Sequence, residues 1–227
     1  MDLRQIVEST TLVSDRIAAL TAQIHGAALS KSEFLDGPNF RRLAPLDLRL
    51  LFEEYDTAFF GGQIKETLGQ VSLDFSLSKR LTSAAGKTTA LRRRSDGHRS
   101  FEISVSLPIL ARCFLADDHR PISASGILCR DRLEALQRVM EHEIIHLMEI
   151  LLWDKSSCRG SRFHSISRRF FGHTQNTHQL ITPRERAIAQ FGIKPGMKVR
   201  FRFDGVEQIG IVNRISKRAT VLVESEE

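Results

Sequence analysis

The sequence predicts an α+β protein: a helical domain with a small antiparallel sheet, followed by a compact all-β module resembling an SH3-like barrel. Three observations predict it. A long apolar segment over residues 131–153 opens on Asp131 with Glu134 three positions later, the pattern of a capped helix. Two stretches alternate apolar and polar residues, Val71-Leu73-Phe75-Leu77 and Phe101-Ile103-Val105, as half-buried strands do. Beyond Gly192 the chain changes character, with Val199, Phe201, Phe203, Ile209, Ile211, Val221 and Val223 in strand-like alternation around an Asp204-Gly205 turn.

In chain order, residues 2–29 carry helical periodicity through Ile6, Leu12, Ile17, Leu20 and Ile24. Residues 36–45, with Gly37, Pro38 and Pro45, read as a linker. A helix follows over 47–60, with Leu50, Leu51, Tyr55 and Phe59 on its apolar side, and Gly61-Gly62 ends it. A further helix is expected over 160–171, stopped by Gly172, and a short helix or connector over 183–191. The division is an N-terminal helical extension over 1–40, a main domain over 41–190 and the β-module over 191–227. A unit as small as that module, about 35 residues, is expected to lean on the main domain for stability.

The 227 residues are 41% hydrophobic and 26% charged, which suits a packed core. No apolar run approaches the roughly 18–20 residues of a membrane span, and the start of the chain lacks the layout of a signal peptide. A cytoplasmic protein with no membrane partner is therefore expected. Cys113, Cys129 and Cys158 are odd in number, widely spaced and without a Cys-x-x-Cys pair. Neither a disulfide framework nor a zinc ribbon follows from them. The net charge of +6 and pI near 9.6 favour contact with polyanions.

The chemistry is concentrated in Met140-Glu141-His142-Glu143-Ile144-Ile145-His146-Leu147. Positions i and i+4 of a helix share a face, so His142 and His146 can grip one metal ion together. Glu143 lies about 100° around the helix from His142, within reach of a water that the metal activates. Two imidazoles and a carboxylate are costly to bury among Leu136, Val139, Met140, Ile144, Ile145 and Met148 unless they have work to do. The imidazole pair favours Zn2+ as the ion.

Over much of its length the chain also resembles the SprT-like zinc metallopeptidases, a family that includes the Spartan proteases acting on DNA–protein crosslinks. The resemblance rests on Leu51-Phe52-Glu53-Glu54-Tyr55 through Phe59-Phe60-Gly61-Gly62, on Ser83-Ala84-Ala85-Gly86-Lys87-Thr88, on the His142–His146 motif, on Gly160-Ser161-Arg162-Phe163 and on Thr177-His178-Gln179-Leu180. It implies a metallopeptidase domain, a protein or peptide substrate, and Glu143 as general base. It also implies a third histidine ligand at the position this chain gives to Arg159, which cannot ligate a cation while charged. A displaced ligand is then required. Cys158 is the first candidate, His164 the second, and Glu149, on the same stripe as His142, the third or an outer partner of a ligating imidazole. His173 and His178 read as packing or helix-end residues.

Two basic groups complete the picture. Arg92, Arg93, Arg94 and Arg99 flank an Asp-Gly turn beside the expected cleft, and Lys198, Arg200 and Arg202 alternate along one strand of the tail, with Lys217-Arg218 after them. Phosphate contacts from such residues would make DNA a partner irrespective of its sequence. The competing expectation is a non-catalytic metal-binding adaptor that uses the basic β-module to hold nucleic acid or protein.

Overall fold

The computed structural model describes residues 1–93, 97, 99–116, 118, 120–215 and 219–223. The chain runs α1 (Leu3–Ser9), α2 (Ser14–Lys31), α3 (Pro45–Phe60), α4 (Gln63–Leu68), β1 (Ser72–Ser78), β2 (Gly86–Arg92), β3 (Arg99–Ser106), α5 (Leu107–Leu110), β4 (Ser123–Ala124), β5 (Ile127–Leu128), α6 (Arg132–Trp153), α7 (Ser161–Phe171), β6 (His178–Gln179), α8 (Pro183–Phe191), β7 (Lys198–Phe203), β8 (Val206–Ile215) and β9 (Ala219–Val223). Among the described residues no helix is long and apolar enough to cross a membrane.

At the centre lies α6, buried along almost its whole length from Arg132 to Glu149. One hydrophobic core surrounds it. Leu3, Val7, Leu20 and Ile24 from the first two helices join Leu51, Phe52 and Tyr55 of α3 and Phe163, Phe170 and Phe171 of α7 in that core. Rings from α3 and α7 interlock, with Phe60 stacked on Phe170 at 5.0 Å and Tyr55 edge-on to Phe171 at 5.9 Å.

The single helix expected over 2–29 is two helices. Thr10 adopts an extended conformation after α1, and the Leu12 amide donates to the Arg169 carbonyl at 3.0 Å. The Arg169 guanidinium in turn donates to the carbonyls of Val7 and Thr10. These bonds to α7 occupy groups that a continuous helix would have used internally. The stretch expected as a linker is also held down. Phe40 is buried, the Leu133 amide donates to the Pro38 carbonyl at 2.9 Å, and the Arg132 guanidinium donates to the carbonyls of Asn39, Phe40 and Cys113. The start of α6 is thereby clamped to the chain entering α3.

The first sheet is mixed rather than antiparallel, with strand order β1-β3-β2. Here β1 runs parallel to β3 and β2 antiparallel to it. The strand with the most deeply buried side chains, β3, with Phe101, Ile103 and Val105 fully enclosed, takes the middle, so the two strands before it fall on opposite sides. That leaves β2 at an edge, packed along α6.

The tail is also corrected. The strands β7, β8 and β9 form an open antiparallel sheet in that order, with no closed barrel among the described residues. Three strands are too few to close, since even small barrels use about five. The sheet is tied to the connection after α8, where the Gly196 amide donates to the Val212 carbonyl and the Val212 amide to that of Met197.

Candidate metal centre

The helix α6 begins where Asp131 accepts the Glu134 amide at 2.8 Å and ends on Asp154 in the left-handed conformation. Between these caps, His142 and Glu143 are buried and His146 is half-buried. The His142 and His146 rings stand with centroids 4.8 Å apart, and Phe163 of α7 packs against both, at 4.7 and 4.8 Å. Their Nε2 atoms lie 3.1 Å apart. Two nitrogens on one tetrahedral zinc ion, each about 2.0–2.1 Å from it, stand about 3.3 Å apart, so the pair already has nearly the spacing of shared ligands. Burial depresses the pKa of both imidazoles, that of His142 to about 2 with help from His178 and the other nearby histidines. Both are then neutral at pH 7, the form that binds metal.

The third member arrives from the loop between α6 and α7. The donor atoms of His142, His146 and Cys158 all lie within 4.8 Å of one another, a candidate metal-binding group. The loop is fixed from the far side, where Asn176 Nδ2 donates to the Cys158 carbonyl at 2.8 Å. His2Cys is an established ligand set for zinc, and it leaves a fourth position open. Arg159, next door, is exposed. His164 is also exposed on α7 and is not part of the group.

Glu149 supports the centre without entering it. Its carboxylate accepts Ser156 Oγ at 2.5 Å, and Ser156 Oγ meets His146 Nδ1 at 2.6 Å. Arg162 Nε donates to the other carboxylate oxygen at 2.8 Å. With Ser156 giving its proton to Glu149, its oxygen accepts the Nδ1 proton of His146 and leaves Nε2 bare toward the candidate metal position. Ser156→Ala is expected to weaken zinc binding roughly 10- to 100-fold, as read by competition with a chromophoric chelator. An unchanged affinity would mean that the relay holds nothing in place.

Glu143 faces the sheet. Thr88 Oγ1 donates to its Oε2 at 2.8 Å, and the fit depends on Gly86: a Cβ there would lie 2.7 Å from Glu143 Oε1 and 2.9 Å from Val139 Cγ1. Burial raises the Glu143 pKa to about 7, against the pull of the Thr88 hydrogen bond. His142, Glu143, His146 and Cys158 share one cleft of about 840 Å3 with Gly86, Lys87, Thr88 and Ala90 of the edge strand.

His178, read from the sequence as a packing residue, also lines this cleft. It is carried there by β6, which pairs with β4 so that His178 lies opposite Ala124. Its ring stands 4.9 Å from that of His142. Burial lowers its pKa to about 4, with the nearby His173 and His146 adding to the shift. Neither the strand β6 nor its partner left a readable pattern, because two-residue strands carry no periodicity. His173 is buried elsewhere, with Nε2 on Glu141 Oε2 at 2.7 Å.

The basic residues fall into two places. Arg92 ends β2, opposite Arg99 on β3, and Arg93 follows; Arg99 binds Asp154 at 2.9 Å and the Ile150 carbonyl at 3.1 Å, at the rim of the cleft. Arg94, Lys217 and Arg218 lie outside the described residues. On β7, Lys198, Arg200 and Arg202 occupy alternate exposed positions, and Arg200 pairs with Glu207 of β8 at 3.1 Å.

A sequence model of the SprT-like family matches residues 48–182, which span α3 to the start of α8 and include the whole candidate centre. Neither the curated proteins nor the solved structures gave a match.

Proposed function

Because the chain belongs to the SprT-like family, we propose that it is a zinc metalloendopeptidase in which His142, His146 and Cys158 hold the ion and Glu143 is the general base. The observation that carries this reading is the convergence of that donor set and the buried Glu143 carboxylate in one cleft. The residues fit a metal: the two Nε2 atoms are 3.1 Å apart, and the other nitrogen of His146 is already committed to Ser156.

When bound, zinc supplies Lewis acidity, lowering the pKa of water toward neutrality and polarising the scissile carbonyl. The chain does the rest. Thr88 holds Oε2 of Glu143, so Oε1, on the side Gly86 keeps free of a side chain, is the oxygen that takes the proton from the attacking water. A carboxylate poised near neutrality can then pass that proton to the departing amide nitrogen. The edge strand β2 offers its unpaired side to an extended peptide, which would hydrogen-bond to the backbone and carry its carbonyl past Glu143. Such recognition reads backbone and accepts many sequences. We assign protein chains as substrates, including chains held on DNA, on the support of the net charge of +6 and the exposed β7 stripe.

Elemental analysis of the wild type, Cys158→Ser and His164→Ala tests the ligand set. One zinc per chain is expected in the wild type and His164→Ala, and loss of it in Cys158→Ser. Chelation should stop cleavage of an unfolded protein, and added zinc should restore it; proteolysis indifferent to both would overturn the reading.

A second reading, a metal-binding adaptor that works through the tail, is favoured by the β7 stripe alone. It predicts salt-dependent DNA binding that survives His142→Ala, in a protein that cleaves nothing.

A further inference from the structure

His146 has its second ring nitrogen accounted for by Ser156 and Glu149, whereas His142 does not. Nδ1 of His142 is enclosed and has no protein partner, and the same holds for both nitrogens of His178 and for Nδ1 of His173. His142 and His178 are neighbours. The His178 ring stands edge-on to the His142 ring at 4.9 Å and 63°.

An enclosed polar atom left without a partner costs about 1–3 kcal/mol. The His142 and His178 rings, with three such atoms between them, can satisfy one another across an enclosed water, which needs two to four polar partners. A ligand role for His178 is disfavoured, because its donor atoms lie outside the compact group of His142, His146 and Cys158. A purely space-filling role would need no ring nitrogens there.

We propose that His178 is the positioning residue of His142: it accepts the Nδ1 proton of His142 across one enclosed water, and so keeps Nε2 of His142 bare toward the metal. It does for the first histidine of the motif what Ser156 and Glu149 do for the second. The role rests on the metallopeptidase reading for its purpose, but the tautomer it sets is a property of the chain alone.

The test uses the full chain with 15N-labelled histidine, metal-free and zinc-loaded. Long-range 1H–15N spectra are expected to show His142 as the Nδ1–H tautomer in both forms. His178→Phe, which keeps the ring and loses the acceptor, should lose that preference when metal-free and bind zinc roughly 10- to 100-fold more weakly. His178→Gln, which keeps an acceptor, should stay within about threefold of the wild type, because the outer hydrogen bond survives. Four results would each overturn the proposal: an Nε2–H tautomer in the wild type, wild-type zinc affinity in His178→Phe, a His178→Gln as weak as the phenylalanine variant, or a cobalt(II) spectrum of His178→Phe that reports a lost ligand. A wild type that binds no metal would instead overturn the metallopeptidase reading, and the tautomer in the metal-free protein would still decide the role of His178.

Discussion

Glu143→Gln is expected to reduce proteolysis by roughly 10²- to 10⁴-fold, the range of a general base, while zinc stays at one equivalent. The separation of the two effects follows from geometry. Glu143 lies between the two histidines in sequence but turns toward β2, where Thr88 and Gly86 receive its carboxylate, and it is not part of the ligand group. The amide of glutamine fills nearly the same space, so the Gly86 contact survives. What disappears is an oxygen able to take and return a proton. Cleavage of an unfolded protein is the readout for turnover and elemental analysis the readout for metal. Equal cleavage by the variant and the wild type would remove Glu143 from the mechanism.

The largest expected change in stability lies two residues earlier. Glu141→Ala should destabilise the fold by about 3–5 kcal/mol, since removing one partner strands a buried charge. Glu141 is fully enclosed and receives Tyr55 Oη at 2.6 Å, the Arg138 guanidinium at 2.9 Å and His173 Nε2 at 2.7 Å. Without it, the buried Arg138 has no counter-charge in this cluster, and Tyr55, whose pKa burial and the adjacent carboxylate hold well above the ordinary phenol value, loses its acceptor. Tyr55→Phe leaves the ion pair intact and should cost only about 1 kcal/mol. Urea unfolding of both variants provides the comparison. A Glu141→Ala no less stable than Tyr55→Phe would show that the cluster contributes little. These bonds tie α3, α6 and the segment after α7 together immediately beside His142.

How far the site was legible depended on how local its signals were. The spacing of His142, Glu143 and His146 on a capped apolar helix is written within five consecutive residues, and the helix forms where that pattern places it. Cys158 stands beside Arg159 as the first substitute ligand, and the fold brings its sulfur to the two imidazoles. Glu149 stands in the sequence as the third candidate ligand or an outer partner; the outer role, reached through Ser156, needs the turn after Trp153 to fold back. Thr88 and Gly86 stood in a stretch noted for its resemblance alone; their contact with Glu143 spans more than 50 positions of chain.

By itself the sequence determined the helices α3, α6 and α7 and the shared face of His142 and His146, because helical period, caps and i,i+4 spacing act over a turn or two of backbone. The tertiary structure alone decided the break between α1 and α2, the parallel pairing of β1 with β3, the open tail sheet and the arrival of His178 beside His142. Each of these is settled by partners distant in sequence, through backbone groups that must find a bond somewhere and side chains that must share one core.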